Sequence, residues 1–335
     1  MEKIDSLNIS LRELITKEPL VADFLSSFNL KGLNETKSFI GLLDSMPPEY
    51  WEQSAVSRCE LLGMFVDFTK GVENALQNET IEKVEILPGN DKNGNHEPCG
   101  LELYPGEVTC IVGPTGSGKS RLLADIEWLA NADTPTKRTV LINGKSADSS
   151  IVNAYGGKLI AQITQNMNFV LDMVVYDFLL LHAQSRYVEN PERKVQEVIA
   201  MANDLSGEQF SPQTPVTFLS GGQSRALMIA DVACIGQAPI VLIDEIENAG
   251  VDKKMALELL VSNDKIVLMA THDPMLILLA DKRVVIRNGG MAKILKTNDF
   301  ERSFFHKLEE IDESIQMTRN FFRSGNQLSG NDQLF

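Results

Sequence analysis

The chain has 335 residues, 43% of them hydrophobic, and a formal net charge of −15. That length supports a sizeable core and suggests two domains, or one large domain with an appendage. So acidic a chain is a poor electrostatic partner for nucleic acid, which rewards clustered Lys and Arg, and a nucleic-acid role is disfavoured. The cysteines Cys59, Cys99, Cys110 and Cys234 form no C-x-x-C pair. They read as free thiols in a reducing compartment rather than zinc ligands or disulfides. The first residues, Met-Glu-Lys-Ile-Asp-Ser, lack the apolar core of a signal peptide. No run approaches the roughly 18 apolar residues of a spanning helix. The expected location is therefore cytoplasmic, with at most a peripheral place at the inner face of a membrane and no direct insertion.

Residues 1–77 read as a helical domain. Ser10-Leu11-Arg12-Glu13 fits a capping box before an apolar-periodic segment. Pro19 starts a second helix, with Leu20, Val21, Phe24 and Leu25 on one face. Asn34 or Thr36 caps a third, which carries Phe39, Ile40, Leu42 and Leu43 and is broken by Pro47-Pro48. A longer helix is expected from Glu49 through Leu61, Phe65 and Phe68 to about Leu76.

From residue 78 the pattern changes to strands. Segments 81–87 and 101–103 flank a polar tip at 90–97, and 140–142 leads into Asn143-Gly144, a second hairpin signal. Segments 108–112 and 158–163 are further strands. Residues 168–237 read as helical, interrupted near 189–191 and 206–220. The runs 240–243 and 266–270 are apolar on both faces, as in the middle of a sheet covered by helices. Segments 284–286 and 292–295 close a hairpin across Asn288-Gly289-Gly290. Residues 299–335 are expected to form a last helix, from Phe300 to about Phe322, and a polar tail.

Gly113-Pro114-Thr115-Gly116-Ser117-Gly118-Lys119-Ser120 matches G-x-x-x-x-G-K-[ST], after an apolar strand and before an apolar-periodic segment. Glycines let the backbone wrap around phosphates at a helix N-terminus. Lys119 would reach the β- and γ-phosphates, and the Ser120 hydroxyl would bind Mg²⁺. Asp244 and Glu245 end an apolar run. The first is placed to hold Mg²⁺ and the second to polarise the attacking water. In Leu219-Ser220-Gly221-Gly222-Gln223, Ser220 can bond a γ-phosphate and the glycines allow close backbone approach.

In this order the motifs resemble the ATP-binding cassette (ABC) ATPase family, over about residues 78–298. The resemblance implies an α/β P-loop fold with a mixed core sheet, an antiparallel β subdomain and an α-helical signature subdomain. The N-terminal all-α domain is extra. It implies ATP and Mg²⁺ as ligands. Gln165 matches the glutamine loop that couples Mg²⁺ to the helical subdomain, Asp252 the D-loop aspartate, and His272 the switch histidine at the γ-phosphate. Ser220, Gly221, Gly222, Gln223 and Asp252 would act in trans, completing the phosphate site of a second cassette. One set of motifs per chain implies two ATP sites in a homodimer, or a heterodimer with another cassette. With Glu245 and His272 both present, hydrolysis is expected.

The sequence departs from the family in several places. No Phe, Tyr or Trp lies between Thr69 and Leu103 to stack on adenine, so Phe68, His96 or an aliphatic residue would have to substitute. Asp231 stands where many members have Arg. Ile246-Glu247-Asn248-Ala249-Gly250-Val251 replaces the usual transporter text after the Asp-Glu pair. Two readings follow. One is the nucleotide-binding subunit of a membrane transporter whose permease is a separate chain. The other is a soluble ATPase that works on a protein client through residues 1–77. The appended helices and the altered text tip the reading toward the soluble client.

Overall fold

The computed structural model describes residues 7, 9–17, 20–30, 34–54, 56–76, 80–147, 152, 158–164, 169–244 and 250–327. The chain divides into two compact units, Met1–Glu79 with Ser149–Gly157, and Thr80–Asp148 with Lys158–Phe335. No described helix is long and apolar enough to cross a membrane.

The first unit contains α1 (Leu11–Lys17), α2 (Leu20–Ser27), α3 (Phe39–Leu43), α4 (Pro48–Gln53) and α5 (Arg58–Leu76). Its core joins Leu11, Leu14, Val21, Leu25, Phe39, Leu42, Leu61 and Phe65. Phe39 stacks on Phe65 at 3.7 Å between ring centroids, and Phe24 contacts both rings. Two expectations are corrected. The cap of α3 is Ser38, whose Oγ accepts from the Gly41 N–H, while the Thr36 hydroxyl bonds Asn34 instead. The long helix from Glu49 is two helices. Ser54 is extended, and the Glu60 carboxylate accepts from the Ser57 N–H at 2.8 Å, a fresh cap that starts α5.

The second unit holds two sheets. One is antiparallel, in the order β2 (Leu101–Leu103), β1 (Val84–Leu87), β4 (Thr139–Ile142), β5 (Lys145–Ser146). The other has six strands in the order β10 (Gly290–Lys296), β9 (Lys282–Arg287), β3 (Val108–Val112), β8 (Ile266–Ala270), β7 (Ile240–Asp244), β6 (Ile160–Ile163). All neighbours in it are parallel except β10 on β9. Every residue of β8, and Ile240 to Ile243 of β7, is buried. Each such Ile, Val or Leu contributes about 1.5–3 kcal/mol by leaving water. That is why these runs carry no polar alternation.

Helices pack on the large sheet or on one another. They are α6 (Lys119–Glu127), α7 (Val175–Ser185), α8 (Pro191–Leu205), α9 (Gly221–Cys234), α10 (Lys253–Val261), α11 (Pro274–Leu279) and α12 (Asp299–Arg323). The register decides where chemistry sits. Ala270 of β8 lies beside Ile111 of β3 and Asp244 of β7. The carboxyl ends of three strands therefore deliver Gly113, Asp244 and His272 to one edge, where open α/β sheets bind ligands.

Candidate functional site

The loop between β3 and α6 is shaped by its glycines. Gly118 has φ 108°, and a Cβ there would stand 2.9 Å from the Gly289 Cα. No other residue fits both the backbone and the space. The loop ends at the N-terminus of α6, whose first N–H groups are available to an anion. Lys119 curls back, its ammonium donating to the Gly113 carbonyl at 2.9 Å and lying 3.1 Å from His272 Nε2.

A cavity of about 460 Å³ is lined by Lys92, Thr115, Gly116, Gly118, Lys119, Ser120, Arg121, Asp244 and His272. The structure thus brings together the phosphate loop, the first carboxylate of the Asp-Glu pair and the histidine. A hydroxyl at Ser120 and a carboxylate at Asp244 are hard oxygen donors lining this cavity. That donor set suits Mg²⁺, which takes one or two protein oxygens and the phosphates of its nucleotide. Among the described residues no cluster of three His, Cys, Asp or Glu forms a self-sufficient metal cage. Gln165 and Glu245, with residues 246–249, lie outside the described residues.

Ser220, Gly221, Gly222, Gln223 and Asp252 are not among the residues lining this cavity. Ser220 caps α9 in a capping box, its Oγ accepting from the Gln223 N–H while Gln223 Oε1 accepts from the Ser220 N–H at 2.8 Å. Ser220 and Gly221 are exposed. The Asp252 segment lies beside the signature, since a Cβ on Gly250 would sit 3.8 Å from the Gly222 Cα. Asp252 caps α10 through the Met255 N–H.

The next residue, Lys253, pairs with Asp273 at 2.5 Å, and Asp273 follows His272 and caps α11. Lys253→Met is expected to loosen this tie by about 1 kcal/mol. A double-mutant cycle with Asp273→Asn measures it, and additive single effects would show that the pair does not couple.

Sequence reasoning missed several side chains. Lys92 comes from the tip between β1 and β2, and Arg121 from the first turn of α6. Arg121 is anchored by Asp125 at 3.2 Å and lies over the Trp128 ring. Asp231 is paired with His182 of α7 at 2.8 Å, which ties α7 to α9. Phe68 packs at 4.9 Å on Phe24 in the helical unit's core. His96 does not line the cavity.

The family model described as ABC transporter matches residues 97–248. A Methanocaldococcus jannaschii protein, described as an uncharacterized ABC transporter ATP-binding protein, is 49% identical over 253 residues, covering 75% of this chain and 97% of that protein. The lipoprotein-releasing system ATP-binding protein LolD of Psychrobacter arcticus is 29% identical, covering 64% of this chain and 93% of that one. Among solved structures, cbiO1 from Clostridium perfringens, described as part of the ABC transporter complex cbiONQ, is 22% identical, with a TM-score of 0.48 over 72% of this chain and 98% of that one.

Proposed function

The chain belongs to the ATP-binding cassette family of ATPases, and on that footing we propose that it is the nucleotide-binding subunit of a membrane transporter whose permease is a separate chain. The observation that carries this reading is that a relative matched along 97% of its length bears the name of an ABC transporter ATP-binding protein, and one matched along 93% that of a lipoprotein-releasing system ATP-binding protein. The altered text around Asp244 had tipped the balance toward a soluble client, and these relatives tip it back. Exposed apolar side chains between β6 and α9 give further support. Val170 is 95% exposed, Leu171 47%, Leu181 56% and Phe218 79%. Side chains of that kind suit a protein partner. Association with such a permease would hold the subunit at the inner face of the membrane.

In this reading ATP lies in the cavity at the phosphate loop. Lys119 turns its ammonium from the Gly113 carbonyl to the β- and γ-phosphates. The N–H groups of Gly118, Lys119 and Ser120, at the start of α6, would face the same oxygens. Ser120 and Asp244 would hold Mg²⁺, which when bound offsets charge on the phosphates. Gln165 would reach the same ion. Glu245 orients the attacking water, and His272 holds the γ-phosphate. Ser220, Gly221, Gly222, Gln223 and Asp252 act on a second copy, since they lie off their own cavity on exposed or half-exposed backbone. Two copies of this chain, or this chain and another cassette, then close on two nucleotides and reopen after hydrolysis.

The experiment is purification of Glu245→Gln from its host with ATP. Hydrolysis should fall by about 10²–10⁴ through loss of the base. The nucleotide-loaded chain should run as a dimer and carry a polytopic membrane protein with it. A soluble enzyme in that place would reverse the assignment. Wild-type hydrolysis by the variant would remove Glu245 from its role.

A further inference from the structure

We propose that Lys92 is a second nucleotide-binding cation. It contacts the phosphates and supplies, whatever the base, affinity that an aromatic residue on the first strand would supply by stacking. The inference rests on the cavity at the phosphate loop being the nucleotide site.

The tip that carries Lys92 is built to hold it still. The Asp91 carboxylate accepts from the N–H groups of Asn93 and Asn95 at 2.8 and 2.9 Å, and from Asn288 Nδ2 at 3.2 Å. The Lys92 N–H donates to the Asn288 carbonyl at 2.8 Å. Its methylene stem lies on Gly289, where a Cβ would stand 2.7 Å from Lys92 Cγ. Gly289 has φ 83°, so a larger residue is excluded by backbone and by space together. The Gly289 N–H donates to the Ser117 carbonyl at 2.7 Å. Tip, turn and phosphate loop are therefore one hydrogen-bonded assembly.

The head of Lys92 donates to the Gly116 carbonyl at 2.8 Å. An ammonium has three donors. Among the described residues no ion pair joins it to a carboxylate, and it lines the cavity with Lys119 and Arg121. Among the described lining residues Asp244 is the carboxylate. An ammonium held by a neutral carbonyl keeps its full charge for an incoming anion. Its fixed neighbour is the loop whose backbone binds phosphates, so the phosphates are the part of a nucleotide it meets. Because the tip is already ordered, little entropy is lost on binding. Such a contact is indifferent to adenine or guanine, which agrees with the missing aromatic.

The test is direct titration of the full chain with ATP and with GTP, with Lys119→Ala as a reference for the site. Lys92→Met should weaken both nucleotides alike by roughly tenfold, the loss of one charged hydrogen bond. Lys92→Arg should restore most of it. The ratio of wild type to Lys92→Met should shrink as salt rises. Affinity for ATP within about twofold of wild type in Lys92→Met would overturn the role. So would a loss for ATP without one for GTP, the mark of a base contact. A wild-type chain that bound no nucleotide would overturn the site and Lys92 together, whereas the first two results would strike Lys92 alone.

Discussion

Arg138→Leu is expected to cost about 3–5 kcal/mol of folding stability, the range for removing one partner from a buried ion pair. Arg138 is fully buried, and so are the carboxylates it meets. Its guanidinium bonds Glu97 at 2.6 Å, Asp125 at 2.8 Å and the Gly289 carbonyl at 2.8 Å. Burial alone works against its charge, but Glu97 and Asp125 outweigh this and hold the guanidinium above its ordinary pKa. With leucine in its place, Glu97 stays in the interior without its cation, and Asp125 keeps only Arg121. Glu97 would keep the N–H groups of Gly89 and Met291, and Asp125 the Thr136 hydroxyl. Those bonds soften the loss without cancelling it. Urea unfolding measures the effect as a lower midpoint at constant slope. A loss below about 1 kcal/mol would show that the network is no more than a surface pair in worth. A second consequence separates this network from a generic core. Gly289 is bonded to Arg138 on one side and to the phosphate loop on the other, with Lys92 packed on it. Nucleotide affinity should therefore fall with stability, even at temperatures where the variant remains folded.

The same residues show why parts of the site were legible and parts were not. The phosphate loop was readable because its requirements are local. Gly118 needs positive φ, which follows from a strand, a turn and a helix within a dozen residues, whereas the space denied to its Cβ is set by the distant Gly289. The apolar runs of β7 and β8 were readable because burial on both faces leaves no polar positions. Glu97 and Arg138 were not. Glu97 falls in a polar tip and Arg138 follows a lysine, so each looks solvated, and they meet across 41 residues of chain. Lys92 has no motif, since its place is set by its neighbour Asp91 together with Asn288 and Gly289 from a distant hairpin. The break between α4 and α5 was legible in principle. Ser57-Arg58-Cys59-Glu60 has the spacing of a capping box, but an apolar periodicity runs through it and masks the break. The identity of the partner was not legible at all, because a few altered residues after Glu245 carry no chemistry that names what the chain drives.

His272→Ala is expected to slow hydrolysis by about 10²–10³, comparable to removing one charge-stabilising donor from an active site. ATP binding should change much less. His272 follows β8 directly, and the pairing of Ala270 with Asp244 sets it across the cavity from the phosphate loop. Its Nε2 lies 3.1 Å from the Lys119 ammonium. An ammonium can only donate, so Nε2 is the acceptor in this contact. A γ-phosphate entering the cavity would draw Lys119 to itself and leave the ring facing the phosphate. The flanking residues are fixed on both sides. Asp273 is held by Lys253, and its N–H donates to the Thr271 hydroxyl at 3.0 Å. The imidazole is thus carried on a rigid turn, and its loss removes an interaction without freeing the backbone. Single-turnover hydrolysis together with a nucleotide titration separates the two quantities. A rate near wild type would mean that His272 only packs against Lys119. An equal loss of binding and rate would mean that its contact is made in the ground state and contributes nothing particular to the transition state.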